Sequence, residues 1–145
     1  MKNTKVFFTA HSLPQRIIDA GDPYPQELRS TAEAVAAAAG LGDWSNWAIA
    51  WQSAGRTPEP WLGPDILQVI DDLAASRDDD QRDAQSGVLV SAVGFVADHL
   101  EVLYDLDIEA AHRAESHGIA FARTACVNDD PTVMAALARR VIEAV

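Results

Sequence analysis

The sequence predicts an α/β fold in three layers: a parallel sheet of about four strands flanked by helices. Four short apolar runs recur along the 145 residues, as strands buried on both faces do. Stretches with helical apolar spacing separate them, and turn residues bound them. The resulting order, β-α-β-α-β-α-β-α, suits parallel strands joined by helical crossovers. No linker, internal repeat or low-complexity tract divides the chain, so residues 1–145 are expected to form a single domain with a sizeable core.

Lys5-Val6-Phe7-Phe8-Thr9-Ala10 is the first strand, ending at His11-Ser12-Leu13-Pro14. Gly21-Asp22-Pro23-Tyr24-Pro25 turns into a helix that Asp22 can cap and whose first turn suits Pro23. That helix runs from Gln26 to Ala39 and stops at Gly40 and Gly42. Asn46 to Gln52 is the second strand, and Ser53 to Gly63 is a long irregular loop containing Trp61. Pro64 opens the next helix, with Ile66, Val69, Ile70 and Leu73 on one face. Ser76 to Ser86 is polar and charged and reads as an exposed loop. Gly87 to Val93 is the third strand, and a helix from about Asp98 to Ser116 follows it. His117 to Arg123 is the fourth strand. The last helix starts near Asn128 to Pro131 and carries Met134, Leu137 and Val141.

Composition narrows the function. Hydrophobic residues make up 48% and charged residues 23%, the balance of an ordinary globular protein. No apolar run approaches the ~18–20 residues of a membrane span, and the start carries no secretory leader pattern. An integral membrane protein is therefore not expected. The single cysteine, Cys126, excludes an internal disulfide and any multi-cysteine zinc site. A reducing, cytoplasmic compartment is the simplest expectation. A net charge of −11 without a basic stripe argues against nucleic acid or an anionic membrane as partner.

Ligands of open parallel sheets bind beyond the carboxyl ends of the strands. His11, Gln52 with Ser53, and the turn from Gly94 to Glu101 fall at that edge. The helix after the turn carries Glu101, Asp105 and Glu109 at i, i+4 and i+8, a column of carboxylates on one stripe. Such a column can handle a hard or borderline cation. Asp98-x-x-Glu101 also has capping-box spacing, and acidic residues suit a first helical turn. Both readings stand for Glu101, whereas Asp105 and Glu109 lie beyond the reach of capping. His11 can take a metal or a proton as a neutral imidazole, or be structural. His99 projects away from Glu101 and reads as support for the site. His112 and His117, near a helix C-terminus, and Cys126 read as structural. Trp61 can pack on a flat ligand at the sheet edge or belong to the core.

Several stretches match one family together and in order. They are Phe8-Thr9-Ala10-His11-Ser12-Leu13-Pro14, Ala20-Gly21-Asp22-Pro23-Tyr24-Pro25, Trp51-Gln52-Ser53, Pro58-Glu59-Pro60-Trp61-Leu62-Gly63-Pro64 and Val93-Gly94-Phe95-Val96-Ala97-Asp98-His99-Leu100-Glu101. Nearly the whole chain resembles the C-terminal half of a ferrochelatase, and is most similar to the coproporphyrin type of monoderm bacteria. The resemblance implies insertion of ferrous iron, as substrate, into a porphyrin, coproporphyrin III, in heme biosynthesis. His11 matches the family's active-site histidine and Glu101 its essential glutamate, which bind the metal or accept pyrrole protons. Asp105 and Glu109 match a carboxylate row on a π-distorted helix that passes metal in or protons out. Ser53 and Trp61 match positions that line the porphyrin pocket. Ferrochelatases close their cleft between two similar α/β halves. The resemblance therefore implies a partner, either an N-terminal half or a second copy of this chain in a homodimer. A tetrapyrrole- or metal-binding protein without turnover is the alternative. Cys126 matches no cluster ligand, so no iron–sulfur cluster is expected in this chain.

Overall fold

The structure, a computed structural model, describes residues 4–42, 46–78 and 87–145. Strands β1 (Thr4–His11), β2 (Trp47–Gln52), β3 (Gly87–Ser91) and β4 (Ala120–Arg123) form an all-parallel sheet in the order β2-β1-β3-β4. Helices α1 (Gln15–Asp19), α2 (Tyr24–Ala38) and α3 (Ile66–Asp78) connect the early strands. One continuous helical run follows β3: α4 (Leu100–Val102), a π-helical segment (Leu103–Ala110) and α5 (Ala111–Ser116). Helix α6 (Pro131–Glu143) comes last. No described helix is long and apolar enough to cross a membrane.

Side-chain alternation along the strands sorts the two faces of the sheet. Phe7, Val88, Val90 and Ala92 pack with Ile66 and Ile70 of α3 and with Val102 and Leu106 of the long helical run. Val6, Phe8 and Trp47 pack on the other face against Ala32 and Ala36 of α2, and Ala10 and Trp51 against Leu28. The α2 contacts fall at i, i+4 and i+8, and the two alanines let the helix lie close to the sheet. The same alternation puts His11 on the face of Phe7, toward the helical run that carries Glu101.

That run has a row of fully buried residues, Val102, Leu106, Ala110 and Ala114, spaced by four throughout. In a pure α-helix a spacing of four turns the row by about 40° per step, because a turn takes 3.6 residues. The wider i→i+5 turns of the π segment rotate the row back, and it stays over the sheet.

Several boundaries differ from the sequence expectation. Helix α1 is an extra element, a single turn that opens directly after Pro14. Helix α3 continues through Ser76 to Asp78, so the loop expected from Ser76 starts later; residues 79–86 lie outside the described ones. Strand β3 stops at Ser91, where the Val93 amide bonds back to the Ser91 carbonyl and turns the chain. Strand β4 starts only at Ala120, because His117 and Gly118 still close the end of α5, with Gly118 at φ +64°. Asp22 sits one residue before the helix cap and accepts from the Tyr24 amide at 2.9 Å.

An ion-pair cluster ties α3 to α5. Asp71 accepts from Arg113 Nη1 at 2.6 Å and pairs with His117 Nε2 at 2.8 Å. The Arg113 hydrogen bond, then that of His117, holds the Asp71 carboxyl below its ordinary value. A depressed carboxylate contributes stability above its unfolded value, about 3.9, and loses it as the pH falls through the folded value. Asp71→Asn has already lost that contribution. Its thermal midpoint is expected to fall less than the parent's between about pH 5 and pH 2, as followed by circular dichroism.

Candidate active site

His11 closes β1 at the carboxyl edge of the sheet. The Ser12 amide donates to the Gln52 carbonyl at 2.7 Å, and the Tyr24 hydroxyl donates to the His11 carbonyl at 3.1 Å. Burial raises the Tyr24 phenol, which keeps it a donor. The Nδ1 of His11 meets the Ser12 carbonyl. A carbonyl only accepts, so Nδ1 carries a proton, and in the neutral ring the lone pair then sits on Nε2. That Nε2 faces Glu101 Oε2 across 3.9 Å, too far for a direct hydrogen bond.

Glu101 reaches this position through a turn that lies on β1. Gly94 donates its amide to the Thr9 carbonyl at 3.0 Å. A Cβ on Gly94 would stand 2.3 Å from Ala10 Cβ and 2.8 Å from Ala10 Cα, so only glycine lets the turn sit this close. The helix cap is His99, whose Nδ1 accepts from the Glu101 amide at 3.2 Å. This corrects the capping-box reading of Asp98 and Glu101, and it gives His99 the place of the cap on the helix that carries Glu101. Asp98 is engaged by Arg123 and Asn128 instead, and a guanidinium is a stronger partner than a backbone amide.

The carboxylate column divides between two places. Glu101 stands opposite His11. Asp105 accepts from the Ser53 hydroxyl and, with Glu109, Asp65 and Tyr104, lines a pocket of about 440 Å³. Ser53 adopts φ +60°, a left-handed conformation that costs a non-glycine residue about 1–2 kcal/mol. Its bond to Asp105 offsets part of that cost. Burial, and to a smaller extent the charge of Asp105, raises the Asp65 carboxyl. Among the described residues, no three His, Cys, Asp or Glu side chains converge where they could hold a metal ion.

Trp61 lies in a loop pinned against the end of β1. Pro14 and Trp61 form an antiparallel bridge, the Leu62 amide bonds the Leu13 carbonyl at 2.9 Å, and Ser12 Oγ donates to the Leu62 carbonyl at 2.8 Å. Arg16 and Glu59 pair at 2.8 Å across the same seam. Trp61 Nε1 donates to Thr57 at 3.0 Å, and the half-exposed ring covers Gly55. Leu100, Leu103 and Tyr104 flank Glu101 in an apolar rim, with Leu100 80% and Val96 81% exposed. Cys126 packs against the core, and burial, then Asp98, pushes its thiol up to about 11.

Sequence reasoning missed Arg123, and it gave no role to Ser12, Tyr24 and Gly94, which it placed only within the matching stretches or the edge turn. From the residues themselves Gly94 had a readable signal, a glycine between a strand and a helix where the backbone comes close to a neighbour.

Comparison with known proteins follows the same lines. The family model described as Ferrochelatase matches residues 1–145. The chain is 45% identical over 133 residues to a coproporphyrin III ferrochelatase of Halalkalibacterium halodurans, covering 92% of this chain and 40% of that protein. It is 47% identical over 135 residues to the coproporphyrin III ferrochelatase of Geobacillus thermodenitrificans, covering 93% and 40%. The corresponding figures for the Bacillus subtilis coproporphyrin III ferrochelatase are 42% over 142 residues, covering 98% and 43%. The chain thus spans about 40% of the length of the curated relatives it matches. With a family model matched from end to end and an all-parallel sheet whose carboxyl edge carries the His11–Glu101 pair, the chain belongs to the ferrochelatase family.

Proposed function

We propose that the chain is one chelatase-like α/β domain, acting in the cytoplasm, that supplies one wall of a site inserting ferrous iron into coproporphyrin III. The observation that carries this reading is His11 Nε2 facing the Glu101 carboxylate across 3.9 Å at the carboxyl edge of the sheet. Metallation exchanges two pyrrole N–H protons for one Fe²⁺, and the nitrogens keep their electron pairs. His11 Nε2 and the Glu101 carboxylate are the bases that take those protons, and both can touch the incoming ion. Two protein ligands with open positions suit an ion that must leave for the porphyrin. Asp105 and Glu109 pass iron in or protons out. Ser53 and Trp61 line the macrocycle, and the apolar rim of Val96, Leu100, Leu103 and Tyr104 covers its face.

The opposite wall comes from further polypeptide of the kind that makes up the rest of the longer relatives. The exposed rim favours a second reading in which another copy of this chain supplies it, since an apolar patch marks an interaction surface. An anaerobic assay tests both. Purified chain is mixed with coproporphyrin III and ferrous iron, and the porphyrin absorption bands are followed. Turnover by the chain alone, at a rate rising with the square of its concentration, supports the homodimer. Turnover only after the remaining portion of a relative is added supports the two-part site. No metallation under either condition overturns the reading and leaves a porphyrin binder, recognised by band shifts without metal uptake.

A further inference from the structure

We propose that Arg123 is a positioning residue whose guanidinium sets where Glu101 stands opposite His11. Arg123 ends β4, also at the carboxyl edge, and its side chain is only 14% exposed. Its Nε and Nη2 form a fork on the two Asp107 oxygens, at 2.6 and 2.8 Å. Its Nη1 donates to Asp98 Oδ1 at 2.8 Å. Asp98 lies in the turn before Glu101 and Asp107 in the π segment after it, so one cation grips the chain on both sides of the glutamate. A planar fork holds both carboxylates at once, which the single ammonium of a lysine does not.

Asn128 completes the grip on the turn. Its Nδ2 donates to Asp98 Oδ2 at 2.9 Å, its Oδ1 accepts from the Asp98 amide at 2.8 Å, and its own amide donates to the Val96 carbonyl at 2.8 Å. The consequence falls on Glu101. In a capping box, the Asp98 carboxylate would bond the Glu101 amide and the Glu101 side chain would fold back on the turn. With Asp98 held by Arg123, His99 caps the helix and the Glu101 carboxylate is left facing His11.

The catalytic meaning of this device rests on the metallation reading, but its structural content does not, and the test separates them. Amide hydrogen exchange is measured on the full chain and its variants. Arg123→Gln and Asp98→Asn are expected to speed exchange at the Asp98, Glu101 and Leu103 amides by about tenfold or more, with the β1 amides of Phe8 and Ala10 unchanged. Asp107→Asn leaves the turn amides slow, and Arg123→Lys gives an intermediate effect. Unchanged turn amides, or an equal rise throughout β1, overturn the proposal. Should Arg123→Gln fail to fold, Asp98→Asn carries the test, because Arg123 keeps its fork on Asp107. In an assembly that metallates porphyrin, Asp98→Asn is expected to lower kcat with little change in the KM for porphyrin. An unchanged kcat beside a lowered thermal midpoint makes Arg123 merely structural. If no assembly turns over, the metallation reading fails, and the exchange pattern still decides the role of Arg123.

Discussion

Glu101→Gln is expected to lower porphyrin metallation by about 10²–10⁴-fold in any assembly where the parent chain turns over. Glutamine keeps the size and reach of the side chain but cannot accept a proton or balance the charge of an arriving cation. The cap does not involve the carboxylate, since His99 makes it through the Glu101 amide. The fold should therefore be intact and the thermal midpoint close to the parent's. His11→Ala is expected to fall in the same range, because it removes the ring nitrogen that faces Glu101. The two losses should not multiply in the double variant, since groups acting as a unit give strongly non-additive effects. Initial rates from the porphyrin absorption bands measure all three. A Glu101→Gln rate within about twofold of the parent would remove Glu101 from the chemistry.

The second large effect is on stability. Gly94→Ala places a methyl group 2.3 Å from Ala10 Cβ and 2.8 Å from Ala10 Cα. Ala10 is fully buried in β1, which is paired on both sides, so it cannot retreat. The turn must move instead, at the roughly 1–3 kcal/mol typical of overpacking. At this chain length each kcal/mol lowers the thermal midpoint by roughly 2–4 °C. The same movement carries Glu101 away from His11, so metallation should fall along with stability. Gly55→Ala is the control. Its added Cβ would meet the ring of Trp61 at 2.5 Å, but that ring is half exposed and can swing outward. A Gly94→Ala midpoint no lower than that of Gly55→Ala would contradict the close approach of turn and strand.

The carboxylate column shows how far sequence spacing reaches. Glu101, Asp105 and Glu109 stand four apart, and α-helical geometry turns that spacing into one stripe. The structure assigns Glu101 to His11 and Asp105 to Ser53, two separate places. The π register behind this arrangement was implied by family resemblance. The residues alone do not require it: it is the full burial of Val102, Leu106, Ala110 and Ala114 in the structure that shows the row held over the sheet, where a pure α-helix would drift by about 40° per step. Asp98 shows the opposite case. Its spacing to Glu101 is that of a capping box, yet an arginine 25 residues later takes the carboxylate. Local patterns identify the partners a residue can have nearby, and a stronger partner brought in by the fold overrides them.

Local sequence pattern was enough for the alternation of strands and helices, and hence for a parallel sheet whose strand ends share one carboxyl edge. It also determined that a histidine, a serine and an acidic helix start would lie at that edge. These are properties of local periodicity and of the handed connections between neighbouring elements. The position of β1 between β2 and β3 came from the fold, and it brings the Gly94 turn onto Ala10 and Glu101 opposite His11. The tertiary structure alone decided that Tyr24 holds the His11 carbonyl, that the Trp61 loop is pinned to Leu13, and that Arg123 grips both flanks of Glu101. Those contacts join residues far apart in the chain. Their geometry depends on sheet order and register, which no local pattern of side chains contains.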